Sequence, residues 1–373
     1  MKAKIYKNRS FMLISSIIIL FFLIALFNYY YDGGNQFYKS KIFEARITKL
    51  LLQNNNILIC TNYDERSFQK LMLSQISIKP QIVVLGSSRS MPITHDLIHS
   101  NFFYNASISS ASLEDDIAIF YMLYEFNIKP DIIIINLDPW LLYENNKLWR
   151  SSLLSEFNKG KKLMSVQQHK SNSFDKISGF VNKYSNLLLS TYFKYSIKNI
   201  KIIHDVIYHE LPMDNIIINP SDSYLYKFAN CTLKLPDGTQ LPSKNEESMQ
   251  SEAVDYISLI HVRTNQPPSL DKIHMDMFEK FVGFILKEQV RVIFYLPPYS
   301  PSAYNEFSQN SRFISISQAE AFYHAIAYHY KIRIIGSYNP AALHLTTNDF
   351  IDDLHLKNQG IKKVFMSIDN LNM

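Results

Sequence analysis

With 373 residues, a hydrophobic share of 47% and a formal charge of only +5, the chain can bury a large core and reads as one big domain or one domain with an insertion. Its lysines and arginines are scattered rather than gathered on one helix or interleaved with aromatics, which argues against a nucleic-acid-binding protein. The two cysteines, Cys60 and Cys231, lie in no zinc-type spacing and form either one disulfide in an oxidising compartment or two buried thiols.

The chain opens with Lys2, Lys4, Lys7 and Arg9, followed by an almost unbroken apolar run from Phe11 to Phe27 and then Tyr29, Tyr30 and Tyr31. About 17 to 21 helical residues match a hydrocarbon core of about 30 Å. Residues 1–31 therefore read as a cytoplasmic tip and a single membrane anchor. Positive charge before the span and an aromatic belt behind it place the amino terminus in the cytoplasm and the main domain in the periplasm or outside the cell. A cleaved signal peptide is the rival reading. Residues 32–79 read as a connector with a leading helix over Glu65 to Ile78, where Phe68, Leu71, Met72 and Ile76 recur at helical spacing.

From residue 80 the sequence takes on the rhythm of an α/β domain. Ile82 to Leu85, bounded by Pro80 and Gly86, predicts a fully buried parallel strand, and the loop at its carboxyl end carries Ser87, Ser88 and Arg89. Arg89 reads either as a solvated surface residue or as a contact for an anionic substrate group. Met91 to Ile98 predicts a helix with Pro92 near its start. His95 and His99 lack a third ligand in a suitable motif, so no metal site is expected. A short strand at Phe102 to Tyr104 runs into the loop Asn105 to Ser112, which leads into a helix over Leu113 to Phe126 with Glu114, Asp115 and Asp116 in its first turn. Ile132 to Ile135 predicts a second buried strand, with Asn136, Asp138 and Trp140 at its exit.

Between about Leu141 and Leu270 the alternation lapses. Phe174 to Tyr208 reads as one or two long helices, and Leu233 to Leu241, with Pro236-Asp237-Gly238 at its centre, reads as a hairpin. This stretch is a large, mostly helical insertion that either sets acceptor specificity or docks a partner. Helices over Met275 to Lys287 and Ile314 to Tyr330 then alternate with strands at Val290 to Leu296 and Ile332 to Ile335, and a last helix runs from Gln359 to Ile368. Together these elements predict a three-layer, flavodoxin-like α/β/α domain over residues 80–373, with about five parallel strands.

Asp352 stands three residues before His355 in the loop ahead of the last helix, a spacing that sets a carboxylate beside an imidazole and frees the other ring nitrogen to face a hydroxyl. Gly86-Ser87-Ser88 after an early strand, combined with Asp352-x-x-His355 before the final helix, resembles the SGNH (GDSL-like) hydrolase superfamily over roughly residues 80–140 and 270–370. The Gly-Ser-Ser variant and the membrane-anchored layout are similar to the branch that acylates cell-surface polymers, such as the D-alanyl transfer proteins of teichoic acids and the alginate O-acetylation proteins. The resemblance implies Ser88 as nucleophile, His355 as base and Asp352 as its partner.

Ser107, after Asn105, stands where the family has a glycine whose amide holds the oxyanion. Asp138 stands where the family has an oxyanion-binding asparagine. An ionised carboxylate cannot take that role, so Asp138 is expected to orient Arg89, bind a substrate hydroxyl or serve the fold, and Asn136 is a displaced donor. The implied activity is a membrane-anchored serine acyl-esterase or O-acyltransferase acting on an envelope polysaccharide, with no cofactor. A multi-pass membrane acyltransferase is the implied partner that supplies acyl groups. The other reading is a non-catalytic SGNH-like glycan-binding or scaffold protein of an envelope-modification complex.

Overall fold

The structure is a computed structural model that describes residues 2–31, 40–77, 79–143, 151–164, 216–227, 231–242 and 269–366, with scattered positions between 184 and 200. The long helices expected over 174–208 lie outside the described residues for most of their length. By internal packing the chain divides into a smaller unit, Met1–Ile47 with Ile59–Asp64 and His169–Ile217, and a larger one, Thr48–Leu58 with Glu65–Gln168 and Ile218–Met373. Neither cysteine is a free thiol, and both Cys60 and Cys231 are disulfide-bonded.

In the smaller unit, helix α1 (Lys2–Tyr31) contains the stretch Met12–Tyr31, whose mean hydropathy of 2.4 makes it long and apolar enough to cross a membrane. A signal sequence meets the same criterion. Near its carboxyl end α1 buries Asn28, whose amide donates to the Leu187 carbonyl at 2.7 Å. Phe27 packs beside Phe193, with ring centroids 5.2 Å apart.

In chain order the remaining elements are α2 (Ser40–Leu52), β1 (Ile57–Ile59), α3 (Glu65–Gln75), β2 (Ile82–Leu85), α4 (His95–Ile98), β3 (Phe103–Asn105), α5 (Leu113–Glu125), β4 (Ile132–Asn136) and α6 (Leu154–Leu163). They continue with β5 (Ile216–Ile218), α7 (Asp222–Lys227), β6 (Thr232–Lys234), β7 (Gln240–Pro242), α8 (Lys272–Lys287), β8 (Arg291–Leu296), α9 (Pro301–Gln309), α10 (Ile314–Tyr330), β9 (Arg333–Gly336) and α11 (Asn358–Met366).

The larger unit is built on a five-stranded, wholly parallel sheet in the order β3-β2-β4-β8-β9. Counted along the chain, these strands lie in the order 2-1-3-4-5, and the five parallel strands expected from the apolar runs are all present. The side chains of β2 and β4 are buried on both faces, which is why these strands read as unbroken Ile-Val-Val-Leu and Ile-Ile-Ile-Ile rather than as alternation. One face packs Ile82, Val84, Ile132, Ile134, Ile293 and Tyr295 against Ile98 of α4 and Ile361, Val364 and Phe365 of α11. On the α8 side, Phe278 meets Phe294 of β8 and Tyr323 of α10, with ring centroids 5.8 and 5.2 Å apart.

Two local features depart from the sequence expectation for physical reasons. The helix predicted over 91–98 is confined to His95–Ile98. The buried Asn105 amide donates to the carbonyls of Ser90, Met91 and Ile93 at 2.8, 3.1 and 3.0 Å, which takes acceptors a helix would need, and Thr94 then caps the short turn. The hairpin β6–β7 forms as expected, but its tip also lies against the edge strand β3. The Asn105 N–H donates to the Asp237 carbonyl at 2.7 Å, the Gln240 N–H to the Met91 carbonyl at 3.0 Å and the Thr239 hydroxyl to the Ile93 carbonyl at 3.1 Å. The exposed edge of the sheet is covered in this way.

Gly238 is fixed by this close approach, since its φ is +81° and a Cβ there would sit 2.2 Å from the Asn105 carbonyl oxygen. Gly238→Ala is expected to destabilise the larger unit by roughly 1–3 kcal/mol. Gly283→Ala in α8 serves as the control, because its Cβ would meet only the end of the Tyr330 side chain, with the hydroxyl 3.3 Å away. Urea unfolding of both variants checks this, and equal midpoints would show that the hairpin tip is not held against β3.

Candidate functional site

The carboxyl ends of the parallel strands deliver the candidate residues to one edge of the sheet. Gly86 ends β2 with φ at +146°, and a Cβ on it would lie 2.3 Å from that of Asn136, so only glycine lets the chain leave the strand this close to β4. The turn that follows is closed by the Ser90 N–H donating to the Ser87 carbonyl at 3.0 Å, and it presents Ser88. On the other side, residues 350–356 form a tight loop in which Phe350 bridges Leu356 and the Ile351 N–H donates to the His355 carbonyl at 2.8 Å.

Within that loop Asp352 accepts at one oxygen from the backbone N–H groups of Leu354 and His355, both at 2.8 Å. Its carboxylate also meets His355 Nδ1, at 3.0 and 2.8 Å. His355 Nε2 lies 2.9 Å from Ser88 Oγ, a contact between residues 267 positions apart in the chain. Burial pushes the Asp352 carboxyl up, but the hydrogen bond and charge of His355 and the two backbone donors outweigh it and hold the group below the ordinary carboxylate range. The side chains of His355 and Asp352 remain 24% and 17% exposed, so the line of three groups opens to solvent at the sheet edge. A hydroxyl, an imidazole and a carboxylate in this order can move a proton off the hydroxyl and stabilise the imidazolium that results.

The remaining predicted residues lie beneath this line. Arg89 is 3% exposed, where a solvated position or a substrate contact was expected. Its guanidinium pairs with Asp138 at 2.9 Å and donates to the carbonyls of Leu354, Pro297 and Pro298 at 3.1, 2.7 and 2.9 Å. Asp138 is wholly buried, and burial pushes its carboxyl up against the opposing pull of Arg89, Ser87 and Asn136. Asn136 is also buried, and its amide donates to Asp138 and, at 3.4 Å, to the Ser87 hydroxyl.

Ser107 is buried as well, and its N–H donates to the Asn105 side-chain oxygen at 3.1 Å, while its hydroxyl lies 2.9 Å from that of Ser90. The Ser88 N–H has no hydrogen-bond partner among the described residues. Among the described residues no cluster of His, Cys, Asp or Glu is arranged to hold a metal ion. His95 instead faces Asp237 at 2.9 Å and Asp96 at 3.2 Å.

The polar groups behind the site include several that their residue types alone did not reveal. The acids expected in the first turn of α5 are there, and two of them, Asp115 and Asp116, are wholly buried. Asp115 is paired with Arg66 of α3 at 2.6 Å. Glu114 faces His274 of α8 at 3.2 Å, and the other ring nitrogen of His274 contacts Asp271. Burial opposes a charge on His274, but the two carboxylates prevail and raise its pKa from the ordinary value. Neither oxygen of Asp116 has a hydrogen-bond partner among the described residues, and burial, then the nearby Asp115 and Asp138, push its carboxyl well above the usual range. Both effects disfavour the ionised form.

Comparison of the sequence with protein-family models and with curated proteins finds no match.

Asp116 gives a signed pH prediction. Its carboxyl binds a proton more tightly in the folded chain than in the unfolded one, so its contribution favours folding at low pH. That contribution is lost as pH rises above the ordinary value near 3.8. Asp116→Asn removes the titration, and the decline of unfolding free energy between about pH 5 and 8 should be shallower than in the wild type. Denaturant unfolding at several pH values measures this, and parallel curves for the two proteins would show that Asp116 is ionised in the fold.

Proposed function

We propose that this protein is a membrane-anchored serine acyl-esterase or O-acyltransferase of SGNH type, acting on a cell-envelope polysaccharide or related polymer through an acyl-serine intermediate. The observation that carries this reading is the hydrogen-bonded line from Ser88 Oγ through His355 to Asp352, made by two loops at the same edge of a parallel sheet. That edge is where open α/β sheets place their sites, and the strand order 2-1-3-4-5 is that of flavodoxin-like doubly wound sheets. The apolar helix α1 is consistent with a single-pass anchor, and disulfide-bonded cysteines suit an oxidising compartment.

In the proposed reaction His355 takes the Ser88 proton as Oγ attacks the acyl carbonyl of an ester or thioester. Collapse of the tetrahedral intermediate breaks the bond to the leaving oxygen or sulfur, which receives the proton from His355. A hydroxyl of the acceptor glycan, or water, then loses its proton to His355, attacks the acyl-serine and regenerates Ser88 Oγ–H. A multi-pass membrane acyltransferase would supply the acyl group across the membrane.

One observation favours a second reading, a non-catalytic glycan-binding or scaffold component. The two side chains at the oxyanion-binding positions do not offer donors toward Ser88, since Asn136 donates to Asp138 and Asp138 is a carboxyl paired with Arg89. The Ser107 amide is also engaged, by Asn105.

Labelling of the full-length protein in detergent with a fluorophosphonate, beside turnover of p-nitrophenyl acetate, separates the two readings. The catalytic reading expects Ser88→Ala to abolish labelling, and His355→Ala and Asp352→Asn to lower turnover by about 10⁴-fold. Labelling that persists in Ser88→Ala would reject Ser88 as the nucleophile, and an inert wild type would favour the scaffold.

A further inference from the structure

We propose that Arg89 is a positioning residue that sets the Ser88–His355 distance by clamping three loops at the strand ends. This rests on the reading of Ser88 as the nucleophile. Arg89 follows Ser88 directly in the chain, and its Nε donates at 3.1 Å to the carbonyl of Leu354, the residue immediately before His355. The clamp therefore acts one residue away from each partner of the reacting pair. One terminal nitrogen pairs with Asp138 at the exit of β4, and the other donates to both Pro297 and Pro298 after β8. The face of the guanidinium lies over the Tyr299 ring, 4.3 Å from its centroid.

A planar fork satisfies these directions at once, and a lysine ammonium, being a single point of charge, cannot. Four of the five N–H groups are engaged and the residue is only 3% exposed, so Arg89 acts through His355 and Ser88 rather than by touching the acyl group. A displacement of either partner by about 1 Å costs on the order of 100-fold in rate.

The test is fluorophosphonate labelling of the full-length protein in detergent, resolved into maximal rate and half-saturating concentration, for wild type, Ser88→Ala, Arg89→Lys and the double variant Arg89→Met/Asp138→Leu. Arg89→Lys keeps the charge that Asp138 needs. The double variant removes both charges, so that no ion is left buried alone. We expect either variant, when folded by thermal unfolding, to lose about 100-fold in maximal rate with half-saturation unchanged. Its residual labelling should rise in proportion to hydroxide instead of levelling off, because the base is out of line. A folded variant that labels at the wild-type rate with the wild-type pH profile overturns the proposal. Failure of both variants to fold also overturns it, by making Arg89 a residue of the fold alone. Labelling retained in Ser88→Ala, or absent from the wild type, instead sinks the nucleophile reading on which the proposal stands.

Discussion

A guanidinium taken out of water has to find acceptors for its N–H groups or the fold bears several kcal/mol of uncompensated desolvation. Arg89 meets that demand with one carboxylate and three backbone carbonyls drawn from the exits of β4 and β8 and from the loop before α11. Three chain segments that share no sequence proximity are thereby joined at a single side chain. The Ser88 turn is additionally shaped from behind by Asn105, whose amide holds the carbonyls of Ser90, Met91 and Ile93. The geometry at Ser88 is thus imposed by buried polar contacts below it rather than by residues lining the surface.

The same logic continues into α5. A helix that opens with Glu114, Asp115 and Asp116 gains from its own dipole when those carboxylates are solvated, by about 0.3–1 kcal/mol each. Here the turn is packed beneath the loop after β4, and each acid meets a different solution. Asp115 takes Arg66, Glu114 takes His274, and Asp116, with no hydrogen-bond partner among the described residues, has its carboxyl pushed well above the usual range. Breaking the buried Arg66–Asp115 pair strands a charge, and breaking the part-buried Glu114–His274 pair does so to a lesser degree, whereas replacing Asp116 with a neutral side chain strands none. Sequence adjacency therefore does not predict equal roles, because burial leaves room for only as many charges as there are facing cations.

How far the sequence disclosed this structure follows from the range of each interaction. β2, β4 and β8 are legible because a strand buried on both faces has to be apolar throughout, and the hairpin at 232–242 is legible because Pro-Asp-Gly fixes its turn locally. Asp352 and His355 are legible as a pair because their spacing is itself a local geometry. The burial of Arg89, the partner of Arg66 and the upward-shifted Asp116 depend on contacts tens to hundreds of residues away, which no periodicity encodes. Met91 to Thr94 failed to become helix for the same reason, since Asn105 competes for its carbonyls from another strand. Arg66 carried one usable signal, a cation in the first turn of an amphipathic helix ahead of an acidic cluster.

The distribution of donors around Ser88 bears on what such a site can do. Removing one oxyanion donor typically costs about 10²–10³-fold in turnover, less than loss of a nucleophile or base but enough that, on the catalytic reading, the number of amides facing the developing charge matters. The Ser88 N–H is unengaged by any described residue, while the Ser107 N–H is held by Asn105 Oδ1. Asn105 also grips the turn that presents Ser88, so releasing Ser107 toward an oxyanion would require its side-chain oxygen to move while its amide stays in place. The hairpin tip bears on that same residue through the Asn105 N–H and the Asp237 carbonyl. On the proposed catalytic reading, the Ser107 amide is therefore coupled through Asn105 to the hairpin tip that lies against β3.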